Sequence, residues 1–428
     1  MAANEISLDD VLRSPLKDEN CDAIFDGFPT LMRWYIDTRE WEANGLDLPM
    51  LHALRPAEQQ AVTKFHHAAD KRMSLASHLL KYLFIHHTCG VPWKDIVFSR
   101  TAAPQNRPYY ASGSATQVEF NVSHQASLTI LAGTLAPNDE MLQKNTAKAI
   151  SFIPPRLGID VTCVNERRKP MTTIGDFIEF VSIFSEVFSP GELAIMKNPI
   201  STLHQARELG FAKSFPSDDD GTVIEYGLRL FYSYWALKEA YLKMTGDALL
   251  APWVRTLEFS NVIPPDPVDP LQASKPYGVS RDKKHIPQST KNWGVPYTRV
   301  KISRAGRPLD DVRIQLQSFE SDYIIATAGS GASVGVIPQN CQKDQPHCPQ
   351  GEIRLILPDG QTEERRIPLC TRKLIGDMNP WRIPFAITDP WLPMQEVDIE
   401  LDIRACAEGR CVHPTNNRSV LSAVQVHG

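Results

Sequence analysis

A carboxylate and an ammonium group lie one helical turn apart in the segment Trp235–Lys243. Glu239 and Lys243 are four residues apart, and Trp235 precedes Glu239 by four, so a helix would place all three on one face. The simplest interpretation is a solvated Glu–Lys pair that contributes about 0.3 kcal/mol to the helix. A catalytic interpretation requires a second acidic group that reaches Glu239 from another part of the chain.

Asp160 is the candidate for that second group. In the segment 157–162, three apolar residues alternate with Asp160 and Thr162, which is the period of a strand with these two polar side chains on one face. Such an aspartate often only faces water. If the helix that carries Glu239 lies over this strand, the two carboxylates form a hard-oxygen site that suits Mg²⁺ and the phosphate oxygens of a substrate.

Ser123 and His124 follow an apolar strand, in what we interpret as a turn that ends at Ala126. A nucleophile–base pair is disfavoured, because neighbouring residues on a strand point to opposite faces and no G-x-S-x-G sequence surrounds them. Hydroxyl and imidazole donors that contact a phosphate fit better. A hydrogen-bonded turn histidine with no further role is the simpler alternative.

Three basic residues precede that strand and could serve the same phosphate. Lys71 and Arg72 lie early in the first long helix, and Arg107 lies in a loop. Clustered cations are what a doubly charged phosphate needs, whereas each one taken singly is most simply a surface charge. The sequence lacks a G-x-x-x-x-G-K-[ST] loop, a complete G-x-G-x-x-G and an H-E-x-x-H motif, which argues against P-loop, dinucleotide-binding and zincin enzymes.

The order of the elements predicts an α+β (or α/β) chain. Apolar periodicity indicates helices over 61–88, 176–188 and 228–245, and strands near 118–122, 128–132, 157–162, 298–303, 312–319, 322–328 and 396–404. Polar, Pro-containing insertions are expected over 136–156 and 261–295. We therefore divide the chain into an N-terminal half (1–150), a C-terminal half that carries the site (151–330) and a C-terminal extension (331–428).

Composition limits the classes of partner. The 428 residues carry a formal net charge of −5, with a pI near 6.2, which excludes a protein that is basic overall and coats nucleic acid. The acidic N-terminus has no apolar segment typical of a secretory signal, and no apolar run approaches the ~20 residues of a membrane helix. We expect a cytoplasmic protein without a nucleic-acid or membrane partner.

Two groups of metal-ligand residues occur late in the chain. Cys341, His347 and Cys348 form one group, and Cys406, Cys411 and His413 form the other. Neither has the paired C-x₂-C spacing of zinc sites, so ordinary reduced loop cysteines are the favoured interpretation and zinc is the lesser alternative.

Taken together and in order, the motifs resemble those of the 4'-phosphopantetheinyl transferases. The similarity covers roughly residues 60–330 and is greatest to the long, monomeric Sfp-type branch, in particular the fungal enzymes of broad carrier-protein range. The motifs are Arg107-Pro108, Asn121-Val122-Ser123-His124, Gly158-Ile159-Asp160, and Phe231-Tyr232 followed by Trp235-Ala236-Leu237-Lys238-Glu239-Ala240-Tyr241-Leu242-Lys243.

This resemblance implies two pseudo-twofold-related halves, each a small sheet packed with helices, with coenzyme A as the co-substrate bound between them. It implies that Asp160 and Glu239 ligate Mg²⁺, that Glu239 takes or orients the acceptor proton, and that Lys243 neutralises the leaving phosphate. Ser123, His124 and Arg107 would contact the nucleotide phosphates, with Lys71 and Arg72 as further candidates. Thr162 departs from bacterial relatives, which have an acid there, and a water could fill that coordination position.

The implied reaction transfers 4'-phosphopantetheine to a serine of a carrier domain and releases 3',5'-ADP. The implied acceptors are carrier domains of fatty-acid, polyketide and nonribosomal-peptide synthases and of aminoadipate reductase, which connects the chain to lysine biosynthesis. Two alternatives remain open: a relative that binds carriers without modifying them, and a Mg²⁺-dependent pyrophosphate hydrolase.

Overall fold

The computed structural model describes ten stretches of the chain. These are residues 31–102, 107–111, 116–137, 155–166, 171–247, 251–268, 292–331, 350–356, 362–368 and 391–411. Most of the two expected insertions, the group Cys341–His347–Cys348 and His413 lie outside these residues.

The described residues form fourteen strands and eight α-helices. The strands are β1 (Leu31–Asp37), β2 (Phe98–Arg100), β3 (Pro108–Tyr110), β4 (Thr116–Gln125), β5 (Leu128–Pro137), β6 (Arg156–Cys163), β7 (Leu257–Ser260), β8 (Lys301–Arg304), β9 (Arg307–Pro308), β10 (Val312–Phe319), β11 (Tyr323–Ser330), β12 (Gln350–Ile356), β13 (Thr362–Pro368) and β14 (Trp391–Glu396). The α-helices are α1 (Arg39–Ala43), α2 (Pro56–Thr63), α3 (Ala68–Cys89), α4 (Ile174–Ser182), α5 (Pro190–Met196), α6 (Pro199–Glu208), α7 (Asp220–Thr245) and α8 (Arg404–Ala407).

A four-stranded sheet and helix α3 make the first half. The strand order is β14-β1-β5-β4, antiparallel except that β14 runs parallel to β1. Helix α3 packs its apolar face on the sheet, where Leu79 and Leu83 share a core with Trp34, Phe120 and Leu131. Gly90, in the left-handed conformation, ends the helix, as expected of a C-terminal glycine.

The second half repeats this arrangement with different strands. Its antiparallel sheet has the order β10-β11-β6, and the 26-residue helix α7 packs on it. The predicted helix over 228–245 is confirmed and begins earlier, at an Asp219 cap. Gly246 ends it with φ of 83°, as a left-handed cap requires. The expected apolar stripe is buried: Leu230, Tyr234, Leu237, Tyr241 and Met244.

Side chains of β4 join the two sheets where no backbone ladder does. Asn121 Oδ1 accepts a hydrogen bond from the Ile159 amide at 3.0 Å, and Gln125 Oε1 accepts one from the Cys163 amide at 3.0 Å. Between them, Ser123 Oγ lies 3.4 Å from the Val161 amide. Alternate residues of β4 therefore satisfy alternate amides of β6, which brings Ser123 to the strand that carries Asp160.

The structure corrects three local predictions. The predicted helix over 61–88 is two helices: α2 ends at Thr63, and the extended backbone of His67 separates it from α3. The turn predicted at 123–126 instead lies at Ala126 and Ser127, both with positive φ, so Ser123 and His124 belong to β4.

The third correction concerns the predicted strand over 396–404. β14 ends at Glu396, and the chain then winds into a helical segment whose start is capped by Asp398, the acceptor of bonds from the Glu400 and Leu401 amides. Ile399 and Ile403 are buried one turn apart, whereas Leu401 is 82% exposed. The alternation of apolar residues that suggested a strand thus coincides with an i, i+4 helical pair.

The mixed α+β class is confirmed by these sheets and helices. Contacts divide the chain into two compact units, and both halves described above belong to the larger one, which contains 30–338 and 391–428. In the other unit, which contains 1–29 and 339–390, the described residues form the antiparallel hairpin β12–β13. Among the helices described, none combines the length and apolar content that crossing a membrane requires.

Candidate active site

Helix α7 approaches strand β6 closely enough to touch its backbone at Gly158. A Cβ atom at that position would lie 2.5 Å from the Met244 nitrogen and would overlap the Ala240 carbonyl oxygen. Only glycine permits this distance. The contact brings the face of β6 that carries Asp160 and Thr162 against the helix face that carries Lys243.

Asp160 is buried, with 5% of its surface exposed, and three side chains contact its carboxylate. Lys243 Nζ lies 2.5 Å from Oδ1, and Ser123 Oγ donates to the same oxygen at 3.0 Å. Thr162 Oγ1 donates to Oδ2 at 3.1 Å. Lys243 Nζ also donates to Ser123 Oγ at 2.8 Å, so these three side chains link β4, β6 and α7. The structure therefore brings three of the predicted site residues together.

Glu239 lies one helical turn before Lys243 and is half-buried. Burial raises the pKa of its carboxyl group, the negative charge of Asp160 raises it further, and Lys243 partly offsets both. Glu239 thus lies within electrostatic reach of Asp160. Trp235, the third residue of that helix face, packs at the edge of the core, where its ring stacks on Phe231 with centroids 6.3 Å apart.

The side-chain oxygens around Asp160 form a donor set that suits a hard cation. Asp160 and Glu239 supply carboxylate oxygens, and the hydroxyl groups of Ser123 and Thr162 surround Asp160. Lys243 already places a positive charge beside Asp160, which offsets the cost of burying that carboxylate. Mg²⁺ prefers one or two carboxylates together with phosphate and water oxygens, and the residues present fit that ion.

His124 occupies the other face of β4, where its Nδ1 lies 3.4 Å from Ser77 Oγ of helix α3. Surrounding protein atoms lower the pKa of the exposed imidazole, and the positive charge of Lys243 lowers it further. The charge of Lys81 also lowers this pKa, whereas that of Asp70 raises it. His124 therefore lies on the side of β4 that faces α3, opposite Ser123.

Lys81 is a basic residue that the sequence analysis did not single out. Burial lowers the pKa of its ammonium group to about 8, and Arg100 adds to this shift while Glu58 opposes it. The neighbouring His78 is also desolvated, and the charges of Lys81 and Arg100 help to lower its pKa to about 3. No local pattern of the sequence identifies Lys81, because only the fold brings it beside His124 and Arg100.

Two of the remaining predicted cations, Arg72 and Arg107, have partners of their own. Arg72 is buried and pairs with Glu42 at 2.5 Å. Lys71, the residue before it, is half-buried near the start of α3. Arg107 pairs with Glu119 at 2.8 Å and also donates to the Leu157 and Met244 carbonyls, at 3.3 and 3.4 Å. Arg107 thereby links the start of β6 to the end of α7.

Unlike Glu239 and Lys243 of the same motif, Lys238 points into the core. Its ammonium group is fully buried, pairs with Glu192 at 2.9 Å, and donates to the carbonyls of Val254 and Leu257. Its role is to anchor α7 to helix α5 and strand β7. One motif thus contains a structural lysine and, five residues later, a lysine of the site.

Comparison with known proteins finds two family profiles along the chain. Residues 39–136 match the profile described as "4'-phosphopantetheinyl transferase, N-terminal", and residues 156–268 match the "4'-phosphopantetheinyl transferase superfamily". The second match includes Asp160, Glu239 and Lys243.

Curated relatives match over nearly the whole chain. The chain is 40% identical to "4'-phosphopantetheinyl transferase A" of Aspergillus fumigatus over 407 residues, which cover 90% of this chain and 96% of the relative. It is also 40% identical to "4'-phosphopantetheinyl transferase NpgA" of Emericella nidulans over 399 residues, with the same coverage. A more distant match is the "L-aminoadipate-semialdehyde dehydrogenase-phosphopantetheinyl transferase" of Schizosaccharomyces pombe, 26% identical over 220 residues.

Proposed function

The chain belongs to the 4'-phosphopantetheinyl transferase superfamily, and from that membership we propose how its own residues carry out the transfer. The enzyme moves the 4'-phosphopantetheine group of coenzyme A to a serine hydroxyl of a carrier domain and releases 3',5'-ADP. The observation that supports our assignment of the site is the contact of Lys243 with both Asp160 and Ser123, one helical turn from Glu239.

Asp160 and Glu239 would hold Mg²⁺ through their carboxylate oxygens. When bound, the ion supplies charge neutralisation to the pyrophosphate of coenzyme A. Ser123 and Thr162 orient the Asp160 carboxylate by donating to its two oxygens. A water, rather than a third acidic residue, would complete the coordination beside Thr162.

Lys243 would bind the leaving phosphate. In the absence of substrate its ammonium group is held by Asp160 and Ser123. A phosphate oxygen that enters the site would offer the ammonium group a further charge-assisted bond. Lys243 would then stabilise the charge that develops on 3',5'-ADP as the bond to the β-phosphorus breaks.

Glu239 would take the proton of the acceptor serine. A carboxylate beside the metal is an adequate base, because proton transfer can be late in a loose transition state. The serine oxygen attacks the β-phosphorus, its proton passes to the carboxylate, and the bond to the leaving phosphate breaks. No nucleophile on the enzyme is required, which agrees with the placement of Ser123 and His124 on opposite faces of β4.

The nucleotide phosphates would lie along the face of α3 that meets β4. His124 and Lys81 are the donors we assign there, with Arg107 and Lys71 at the margins of the same region. Arg72 keeps its pairing with Glu42 and would support the helix, unless substrate displaces that glutamate.

The expected partners are apo carrier domains of fatty-acid, polyketide and nonribosomal-peptide synthases and of aminoadipate reductase. We propose that the enzyme acts as a cytoplasmic monomer, without a nucleic-acid or membrane partner. The test combines the full chain with coenzyme A, Mg²⁺ and an apo carrier, and weighs the carrier by mass spectrometry. A gain of one phosphopantetheine group is expected; release of phosphopantetheine to water without an acceptor would indicate the hydrolase alternative, and carrier binding without either would indicate the non-catalytic one.

Replacement of Thr162 by Ala should reduce kcat less than about threefold. The hydroxyl group donates one bond to Asp160, whose other oxygen keeps both of its donors, so the carboxylate stays oriented. Loss of the bond should cost about 1 kcal/mol of folding free energy. Steady-state kinetics and thermal unfolding check this, with Thr256→Ala as a control for removal of an exposed hydroxyl that also donates one bond. A near-total loss of kcat would place Thr162 in the metal shell.

Replacement of Lys81 by Met should raise the KM for coenzyme A roughly tenfold or more and leave kcat almost unchanged. In the parent enzyme the KM should also rise as the pH passes above about 8, because Lys81 loses its charge there, and the variant should lack this rise. Lys94→Met, which changes an exposed lysine in the short 3-10 turn after α3, is the control. Parallel assays with 3'-dephospho-coenzyme A identify the phosphate concerned. An unchanged KM in the variant would exclude Lys81 from phosphate binding.

A further inference from the structure

Three potential metal ligands meet at the C-terminal end of helix α3. They are His86 from the helix and Cys406 and Cys411 from the segment that follows β14, and their ligand atoms all lie within 4.8 Å of one another. His86 and Cys406 are 2% and 4% exposed. His86 is more than 300 positions from the two cysteines in the sequence, so only the fold brings it to them.

The orientation of His86 matches that of a metal ligand. Its Nδ1 lies 2.7 Å from the Val91 carbonyl oxygen, which can only accept, so Nδ1 carries the proton. In a neutral imidazole Nε2 then presents a lone pair, and it faces Cys411 Sγ at 3.2 Å. Histidines that bind metals are held in this way, by a backbone carbonyl on the other ring nitrogen.

The 3.2 Å separation of His86 Nε2 from Cys411 Sγ and the charges of the ligands also suit zinc. Ligand atoms around a tetrahedral zinc ion stand roughly 3.3–3.8 Å apart, given bond lengths of about 2.0–2.3 Å. Two thiolates balance the two charges of the ion, so the complete site is neutral, as a buried position requires. The next residue of the helix offers a fourth ligand, because His87 Nε2 lies 3.8 Å from Cys406 Sγ.

We propose that His86, Cys406 and Cys411 bind one structural zinc ion, with His87 or water in the fourth position. The site is separate from the transfer chemistry, which uses residues of β4, β6 and α7. Its effect would be to fix the segment after β14 to helix α3, across the core that both share. The sequence analysis considered zinc at Cys406, Cys411 and His413. The site proposed here has His86 in place of His413.

Metal analysis of the full-length chain tests the proposal. The protein is produced in zinc-supplemented medium, purified in a phosphine reductant without chelator and analysed by plasma mass spectrometry. We expect about one zinc per chain in the parent and in the Cys163→Ser control, which removes a buried thiol elsewhere. In Cys406→Ser/Cys411→Ser the content should fall at least roughly fivefold. Zinc kept by that double variant would overturn the proposal.

Two measurements on the parent chain do not depend on whether the variant folds. After exchange for Co²⁺, thiolate-to-metal charge-transfer bands and intense visible bands of tetrahedral cobalt should appear, and zinc should abolish them. Removal of the metal with a chelator should lower the midpoint of thermal unfolding, and zinc should restore it. A reduced chain that takes up neither ion would overturn the proposal. So would a chain that is two hydrogens lighter without reductant and binds no zinc once reduced, because the two thiols would then form a disulfide.

Discussion

Replacement of Glu239 by Gln should abolish phosphopantetheine transfer while leaving the fold intact. The amide keeps the size of the side chain but supplies neither the negative charge of a metal ligand nor a base for the acceptor proton. Either loss alone is worth about two to four orders of magnitude, and a carboxylate that serves both purposes should cost roughly a thousandfold or more in kcat. Mass analysis of the carrier, with kcat from initial rates, measures the effect.

The control for this variant lies on the same helix. Glu225→Gln changes an exposed glutamate of α7 that is remote from Asp160, and its activity should equal that of the parent. Thermal unfolding should be unchanged or slightly improved in Glu239→Gln, because a half-buried carboxylate that lies near another is removed. Full transfer activity in Glu239→Gln would remove this residue from the mechanism.

Replacement of Gly158 by Ala should damage both stability and activity. The added methyl group would meet the backbone of α7 at Ala240 and Met244, and a helix backbone cannot rotate away as a side chain can. Overpacking of this kind costs about 3 kcal/mol of folding free energy. A shift of α7 away from β6 would also separate Lys243 from Asp160, and a displacement of about 1 Å can lower kcat roughly a hundredfold.

A second glycine provides the control for that substitution. Gly175 is exposed in the first turn of α4, and a Cβ there would have only an ordinary contact at 3.6 Å, so Gly175→Ala should be neutral or slightly stabilising. Thermal and denaturant unfolding, followed by kcat on the folded fraction, distinguish the two variants. Parent-like stability in Gly158→Ala would show that α7 and β6 are less closely packed than the structure indicates.

Local patterns were sufficient to predict the elements that carry the site. The alternation around Asp160 and the stripe along α7 gave the strand and the helix, because one face of each is buried in a continuous core. The alternation at 397–403 led to a wrong strand prediction, because Ile399 and Ile403 also fit a helical period. The Asp398 cap decides between strand and helix.

Contacts between distant residues could not be predicted in this way. Lys81 is an ordinary lysine on an amphipathic helix until His124 and Arg100 come beside it. Lys238 looks like a surface residue in its motif, and only the position of Glu192 shows that it is buried. The order of Asp160, Glu239 and Lys243 along the chain predicted a common site only through resemblance to a family, since periodicity cannot bring a strand and a helix together.

The parallel pairing of β14 with β1 has a consequence for biosynthesis. Leu31 pairs with Trp391, so one edge of the first sheet is completed by residues synthesised at the far end of the chain. At ribosomal rates of about 5–20 residues per second, β1 would wait roughly 20–70 s for that partner. An open strand edge is a template for unwanted pairing during this interval. The nascent enzyme should therefore depend on chaperones until β14 leaves the ribosome.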